Sequence, residues 1–317
     1  MRYISIPKTD LKVSGFCMGS AEFGHVFDEQ VSYDTLDRFV AFGGNFLDTS
    51  VLYANWIPNI ERSSSENTIG RWLKSRNAYD KMVIATKGGV LHVNGSDVPA
   101  LGRDVIESQI EESRSHLGLD TLTLYYLHRD DKAIPVEDIM DVLFEAQDKG
   151  KIKYLGCSNW TAARIKAANA YAEKCGRQGF IIVSDRWSLA KPNDGVGDKN
   201  LVNMNDELYQ LHIDQNLTAV PFSSTGQAFL TRIVNGEKIE NHPVYGTPEN
   251  LAIAERAKEL AAQKNVTVAQ LALSYFYSHP FTAIPITAFR EPEQMQEAVE
   301  ATEIILTDEE FKFLTGK

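Results

Sequence analysis

The chain has 317 residues, a net charge of −11 and 43% hydrophobic residues. That length suits one α/β barrel, and the acidity argues against a nucleic-acid binder, which carries a basic patch. No apolar run reaches the roughly 18 residues of a membrane helix, and the start, Met-Arg-Tyr-Ile-Ser-Ile-Pro, lacks the apolar core of a signal peptide. Cys17, Cys157 and Cys175 show no metal-ligand spacing and read as reduced thiols of a cytoplasmic protein.

Residues 2–13 alternate loosely and predict a short hairpin. Residues 16–19 read as a first buried strand. Val31, Leu36, Phe39, Val40 and Phe42 share one helical face, which Gly43-Gly44 stops. Phe46-Leu47 is the second strand. Ser65 is expected to cap the next helix, with Ile69, Trp72 and Leu73 inward and Glu66 in its first turn. Residues 82–86 form a third strand, and Gly88-Gly89 opens a loop. A helix over 103–116 ends at Gly118. Residues 122–127 are a fourth strand, and Ile134-Pro135 opens a helix with Ile139, Val142, Leu143 and Ala146 inward. Strands follow at 154–157, 180–183, 217–221 and 282–286, with helices near 161–174, 249–263, 267–278 and 292–301.

Eight strands alternating with helices imply parallel pairing through right-handed crossovers. At this length the expected closure is a (β/α)8 TIM barrel with an N-terminal hairpin and extra C-terminal helices. An open doubly wound sheet is the alternative, but it calls for an early Gly-x-Gly-x-x-Gly turn, and the sequence has none. No linker or composition break divides the chain, so residues 1–317 read as one domain.

Three apolar runs end in ionisable groups: Asp48 after Phe46-Leu47, Lys87 after residues 82–86, and His128 after residues 122–127. Tyr53 follows Asp48 by five residues. Parallel neighbouring strands would gather these groups at one end of the sheet. A free phenol has a pKa of about 10, too high for easy proton exchange at neutral pH. A nearby ammonium is expected to lower it, and Asp48 would hold that ammonium in place. His128 could donate to a carbonyl or share a proton with Tyr53. The set makes a general acid beside a carbonyl oxygen and contains no serine or thiol nucleophile paired with a base. Each residue alone is more often structural; the coincidence of four at strand ends carries the argument.

Asp48-Thr-Ser-Val-Leu-Tyr53, Ala85-Thr-Lys87, Leu124-Tyr-Tyr-Leu-His128 and Gly156-Cys-Ser-Asn-Trp160 resemble the active-site motifs of the aldo-keto reductases, in the same order over nearly the whole chain. The resemblance implies a TIM barrel that binds a nicotinamide cofactor without a Rossmann domain and transfers hydride to an aldehyde or ketone, possibly sugar-like, or runs the reverse oxidation. It implies Tyr53 as proton donor, Lys87 and Asp48 tuning it, and His128 orienting the carbonyl. No metal is implied.

The cofactor positions carry over one by one. Ser158 and Asn159 match the pair that holds the carboxamide. Ser184 stands where the family usually has glutamine, and Trp187 where an aromatic precedes Ser-Leu. Phe222 matches the ring that stacks on the nicotinamide, and Ser223, Ser224 and Gly226 the clasp on the pyrophosphate. Arg290 and Gln294 match contacts to a ribose 2′-phosphate, so NADP(H) is expected ahead of NAD(H). The adjacent Glu291 opposes that preference. Glu297-Ala298 replaces the family's Glu-Asn and loses one expected contact to the adenine. Trp56, Phe23, Arg129, Asp130 and the loop 191–204 are expected to line a pocket for a small carbonyl or sugar substrate. The other class weighed is a cofactor-binding regulatory subunit similar to potassium-channel β subunits.

Overall fold

The computed structural model describes residues 1–317 except 194, 195 and 197. The predicted hairpin is present: β1 (Tyr3–Ser5) pairs antiparallel with β2 (Lys12–Ser14). The chain then alternates β3 (Cys17–Gly19), α1 (Glu29–Ala41), β4 (Phe46–Asp48), α2 (Ser64–Arg76) and β5 (Val83–Gly88). A second hairpin follows, β6 (Val90–Val93) with β7 (Ser96–Pro99), then α3 (Arg103–Leu117), β8 (Leu122–Leu127), α4 (Val136–Asp148), β9 (Ile152–Ser158), α5 (Ala162–Lys174) and β10 (Ile182–Ser184). The remainder is α6 (Asp206–Gln215), β11 (Thr218–Ala219), α7 (Phe229–Val234), α8 (Pro248–Lys264), α9 (Val268–Ser274), β12 (Ile286–Thr287), α10 (Pro292–Ala301) and α11 (Asp308–Thr315).

Eight strands run parallel in the order β11-β10-β9-β8-β5-β4-β3-β12. The two ends of that row meet. The Ala219 N–H donates to the Thr282 carbonyl at 2.9 Å, and the Ile284 N–H to the Ala219 carbonyl at 2.8 Å. The expected (β/α)8 barrel is therefore closed.

Strand side chains alternate between faces, and the ring sorts them into two packed sets. Phe46, Ala85, Leu124, Tyr126 and Ile284 pack in one buried cluster together with Ile6 and Val13 of the hairpin region. Leu47, Ile84, Tyr125, Leu127 and Leu155 pack instead against helix residues such as Leu36, Trp72, Ile106 and Leu143. Asp48 lies two positions beyond Phe46, Lys87 two beyond Ala85, and His128 two beyond Tyr126. The same alternation that buries the inner cluster thus delivers these three polar groups to the interior at the carboxyl end.

Several local expectations are corrected. Ser65 does not cap α2; Ser63 holds that position in a left-handed conformation (φ 55°) without a side-chain cap bond. The Ser65 hydroxyl instead donates to the Ser20 carbonyl at 2.9 Å and lies 2.9 Å from Thr49 Oγ1. Glu66 does stand in the first turn of α2, and it is fully buried there, accepting from Thr86 Oγ1 at 2.5 Å and lying 3.0 Å from His116 Nδ1. The loop expected after Gly88-Gly89 contains the β6–β7 hairpin, turned by Asn94 (φ 50°) and Gly95 (φ 79°), a pair suited to a type I′ turn. Helices α6, α7 and α11 had not been read from the sequence. Two of them carry visible start signals: Asn205 accepts from the Leu208 N–H at 2.9 Å, and Thr307 forms a capping box with Glu310.

Candidate active site

Four side chains converge at the carboxyl end of β4, β5 and β8. Lys87, on β5, donates through Nζ to Asp48 Oδ1 at 2.5 Å, to the Thr49 carbonyl at 2.9 Å and to the Tyr53 hydroxyl at 3.1 Å. The Tyr53 hydroxyl in turn donates to Asp48 Oδ2 at 3.2 Å. The chain reverses after β4 to bring Tyr53 back, with the Val51 N–H on the Lys87 carbonyl and the Tyr53 N–H on the Ser50 carbonyl. His128 stands across from Tyr53, ring centroids 6.0 Å apart at 75°. The two rings share no hydrogen bond; His128 Nδ1 lies 3.2 Å from Ser50 Oγ.

Electrostatics here are decided by burial. Asp48 and Lys87 are 3% and 2% exposed. Burial raises the Asp48 carboxyl, and Lys87 offsets this only in part. Burial draws Lys87 down, but Asp48 and Tyr53 outweigh it and hold the ammonium above its ordinary value. Both ends of the pair move upward; the 2.5 Å contact and the three acceptors around Nζ decide for the ionised pair. Tyr53 departs from expectation: burial, then Asp48, push the phenol up to about 12, and Lys87 does not reverse this. A phenol so placed stays protonated at neutral pH. His128 is held well below the usual imidazole range by burial, Lys87 and Arg129, so its ring is neutral.

These groups line a cavity of about 410 Å³. Ser158, Asn159, Ser184, Phe222, Ser223 and Ser224 line it too. Ser158 Oγ donates to the Ser184 carbonyl at 2.6 Å. Asn159 is left-handed (φ 60°), and its side chain spans from the His128 carbonyl (3.2 Å) to the Val202 N–H (3.1 Å). Its own N–H donates to Asp185 Oδ1 at 2.7 Å, a buried carboxyl that burial pushes up to about 8. Asp185, unnoticed in the sequence, therefore anchors the turn that presents Asn159. The Ser184 hydroxyl is buried without a hydrogen-bond partner among the described residues. Gly226 is outside the wall, but Ser223, Gly226, Gln227 and Ala228 all have positive φ, and Thr225 and Gln227 of that turn face the cavity.

The Aldo/keto reductase family model matches residues 16–317. The chain belongs to the aldo/keto reductase family. It is 25% identical over 97% of its length to the aryl-alcohol dehydrogenase [NADP(+)] of Phanerodontia chrysosporium, 83% of which is covered. It is 26% identical over 97% of its length to the aldo-keto reductase ausK of Aspergillus calidoustus, with 79% of that protein covered. To the uncharacterized oxidoreductase YrpG of Bacillus subtilis it is 26% identical over 99% of its length and 95% of the relative. The protein is accordingly an oxidoreductase acting on carbonyl or alcohol groups.

In this aldo/keto reductase the outer positions separate from the cavity. Arg290, Gln294 and Glu297 do not line it. Arg290 lies exposed, its guanidinium 3.1 Å from Glu22, which does line it. Gln294 Oε1 accepts from the Arg290 and Glu291 N–H groups at 2.9 and 3.2 Å, so that side chain caps α10. Arg129 lines the cavity, bound to Asp198 at 2.9 Å. Phe23 does not: it is 2% exposed and packs in the main core beside Phe27. Asp130 is likewise structural, bound through both oxygens to Arg164. Trp187 packs among Tyr209, Tyr275, Phe276 and Phe281, away from the tetrad. Trp56 stands outside, edge-on to Tyr53 at 6.4 Å, with His92, Asp97, Asp198 and Asn200 in an open vestibule. Within the loop 191–204, Leu201 reaches the cavity wall; positions 194, 195 and 197 lie outside the described residues. Gly19, Ala21 and Thr287 also line it and had not been singled out. Their signal was positional, since each stands at the carboxyl end of a barrel strand.

Proposed function

We propose that this aldo/keto reductase uses NADP(H) to reduce an aldehyde or ketone, sugar-like ones included, to the alcohol. Tyr53 is the proton donor, and the same groups serve the reverse oxidation. The observation that carries this reading is the Tyr53 hydroxyl, within 3.1 Å of Lys87 Nζ and 3.2 Å of Asp48, at the wall of a cavity. The unpartnered Ser184 hydroxyl, the Ser158–Asn159 pair and the Phe222 ring supply the polar partners and flat surface that a nicotinamide carboxamide requires. When bound there, the reduced nicotinamide supplies the hydride. Tyr53 passes its proton to the carbonyl oxygen as charge develops on it, and the Lys87 ammonium stabilises the phenolate left behind. When the Ser50 hydroxyl donates to Nδ1, His128 carries its proton on Nε2 and directs the carbonyl.

The phenol's high pKa sets the pH dependence. Reduction needs Tyr53 protonated, so its rate stays level between about pH 7 and 9. Oxidation needs the phenolate, so its rate climbs across that range. Initial rates in both directions test this; oxidation that falls with rising pH would contradict the assignment.

NADP(H) is favoured because the side chain of Arg290 is 72% exposed, paired with Glu22 of the cavity wall, and can leave it for a 2′-phosphate. The Phanerodontia relative's name carries NADP(+) as well. Turnover of 4-nitrobenzaldehyde with each nucleotide is the direct test. Arg290→Ala raises the KM for NADPH about tenfold and leaves that for NADH nearly unchanged; equal losses with both remove Arg290 from the assignment.

A further inference from the structure

A second cavity, of about 520 Å³, opens on the flank of the barrel between the segment after β10, the starts of α6 and α8, and the end of α11. It shares no lining residue with the cavity at the tetrad. One wall is aromatic: Trp187, Tyr209, Tyr275, His279 and Phe311. The Trp187 ring lies 4.6 Å from that of His279 and 5.7 Å from that of Tyr275. Burial pushes His279 down to about 3, so the ring is neutral, and its Nε2 has no partner among the described residues.

Arg186 also lines this cavity and is only 8% exposed. Its Nε donates to Asn203 Oδ1 at 2.7 Å. Its two terminal nitrogens have no acceptor, and no carboxylate lies within ion-pair distance, among the described residues. A guanidinium this largely buried is costly to leave without an anion, and none stands beside it among the described residues, which points to a negatively charged group from outside. The other charges facing the space are Lys191, engaged by Glu249 at 2.6 Å, Asp206, and Lys317. The N-termini of α6 and α8, of 10 and 17 residues, also meet here and add positive potential.

We propose that this flank cavity binds a small aromatic carboxylate, the fork of Arg186 taking the carboxylate and the ring lying against Trp187 and Tyr275. A guanidinium fits a carboxylate bidentately, and flat rings favour a planar partner. The site is separate from the tetrad, so the proposal stands or falls independently of the redox reading.

Isothermal titration of the full chain with sodium benzoate tests it. Benzoate binds, Arg186→Met weakens it about ten- to hundredfold, and Tyr53→Phe leaves it unchanged. Thr315→Trp, which adds bulk to the cavity wall from the end of α11, also weakens binding and decides the matter if Arg186→Met does not fold. Absence of benzoate binding, binding that survives both flank substitutions, or binding lost in Tyr53→Phe alone overturns the proposal. Inorganic phosphate binding as tightly as benzoate overturns the assignment of a planar acid.

Discussion

Tyr53→Phe lowers the kcat for carbonyl reduction by about 10³-fold, within the range assigned to a positioned proton donor. The ring still fills its place beside Trp56 and His128, so the cavity keeps its shape. Nucleotide binding, read by quenching of tryptophan fluorescence, is unchanged, because the hydroxyl touches only Lys87 and Asp48. This split is diagnostic: a structural tyrosine would lose both together, and a variant keeping most of its rate would pass the role of acid to another group.

Lys87→Met carries the second large effect, and it reaches stability as well as rate. The ammonium holds three acceptors, one of them a carboxylate 3% exposed. Removing it leaves that carboxylate unpaired in the interior, a change that costs about 3–5 kcal/mol. A denaturant midpoint shift of that size is expected, together with loss of reduction. Adding Asp48→Asn to the same chain removes the stranded charge and restores much of the stability but none of the turnover. If Lys87→Met were as stable as the parent, the ion pair would be contributing nothing to the fold.

The polar tetrad was legible because each barrel member ends an apolar run in step with it: Asp48, Lys87 and His128 repeat the inward positions of Phe46, Ala85 and Tyr126. Tyr53 required only nearness in sequence to Asp48. What the sequence hid was burial. A string of letters shows that Lys87 is near Tyr53, yet not that desolvation and Asp48 together overcome the ammonium, so the expected sign of the phenol's shift was wrong. Phe23 was misplaced for a related reason: an aromatic in a loop after a first strand can face the mouth or the core, and only packing against Phe27 decides. Ser65 illustrates competition among neighbours, since three serines stand in a row and the one chosen as cap had better partners in Ser20 and Thr49. The Asn94-Gly95 turn and the Asn205 cap carry legible signals, a residue pair suited to positive φ and a side chain that accepts from the Leu208 N–H. Asp185 gave no signal, because its task is to hold a backbone N–H from another strand.

The inner cluster beneath the tetrad is filled from Ile6 and Val13 through Phe46, Leu124 and Tyr126. The ring is therefore corked at one end, and among the described residues the way to the tetrad is from the carboxyl-end mouth. A product leaving the tetrad thus retraces the path of its precursor.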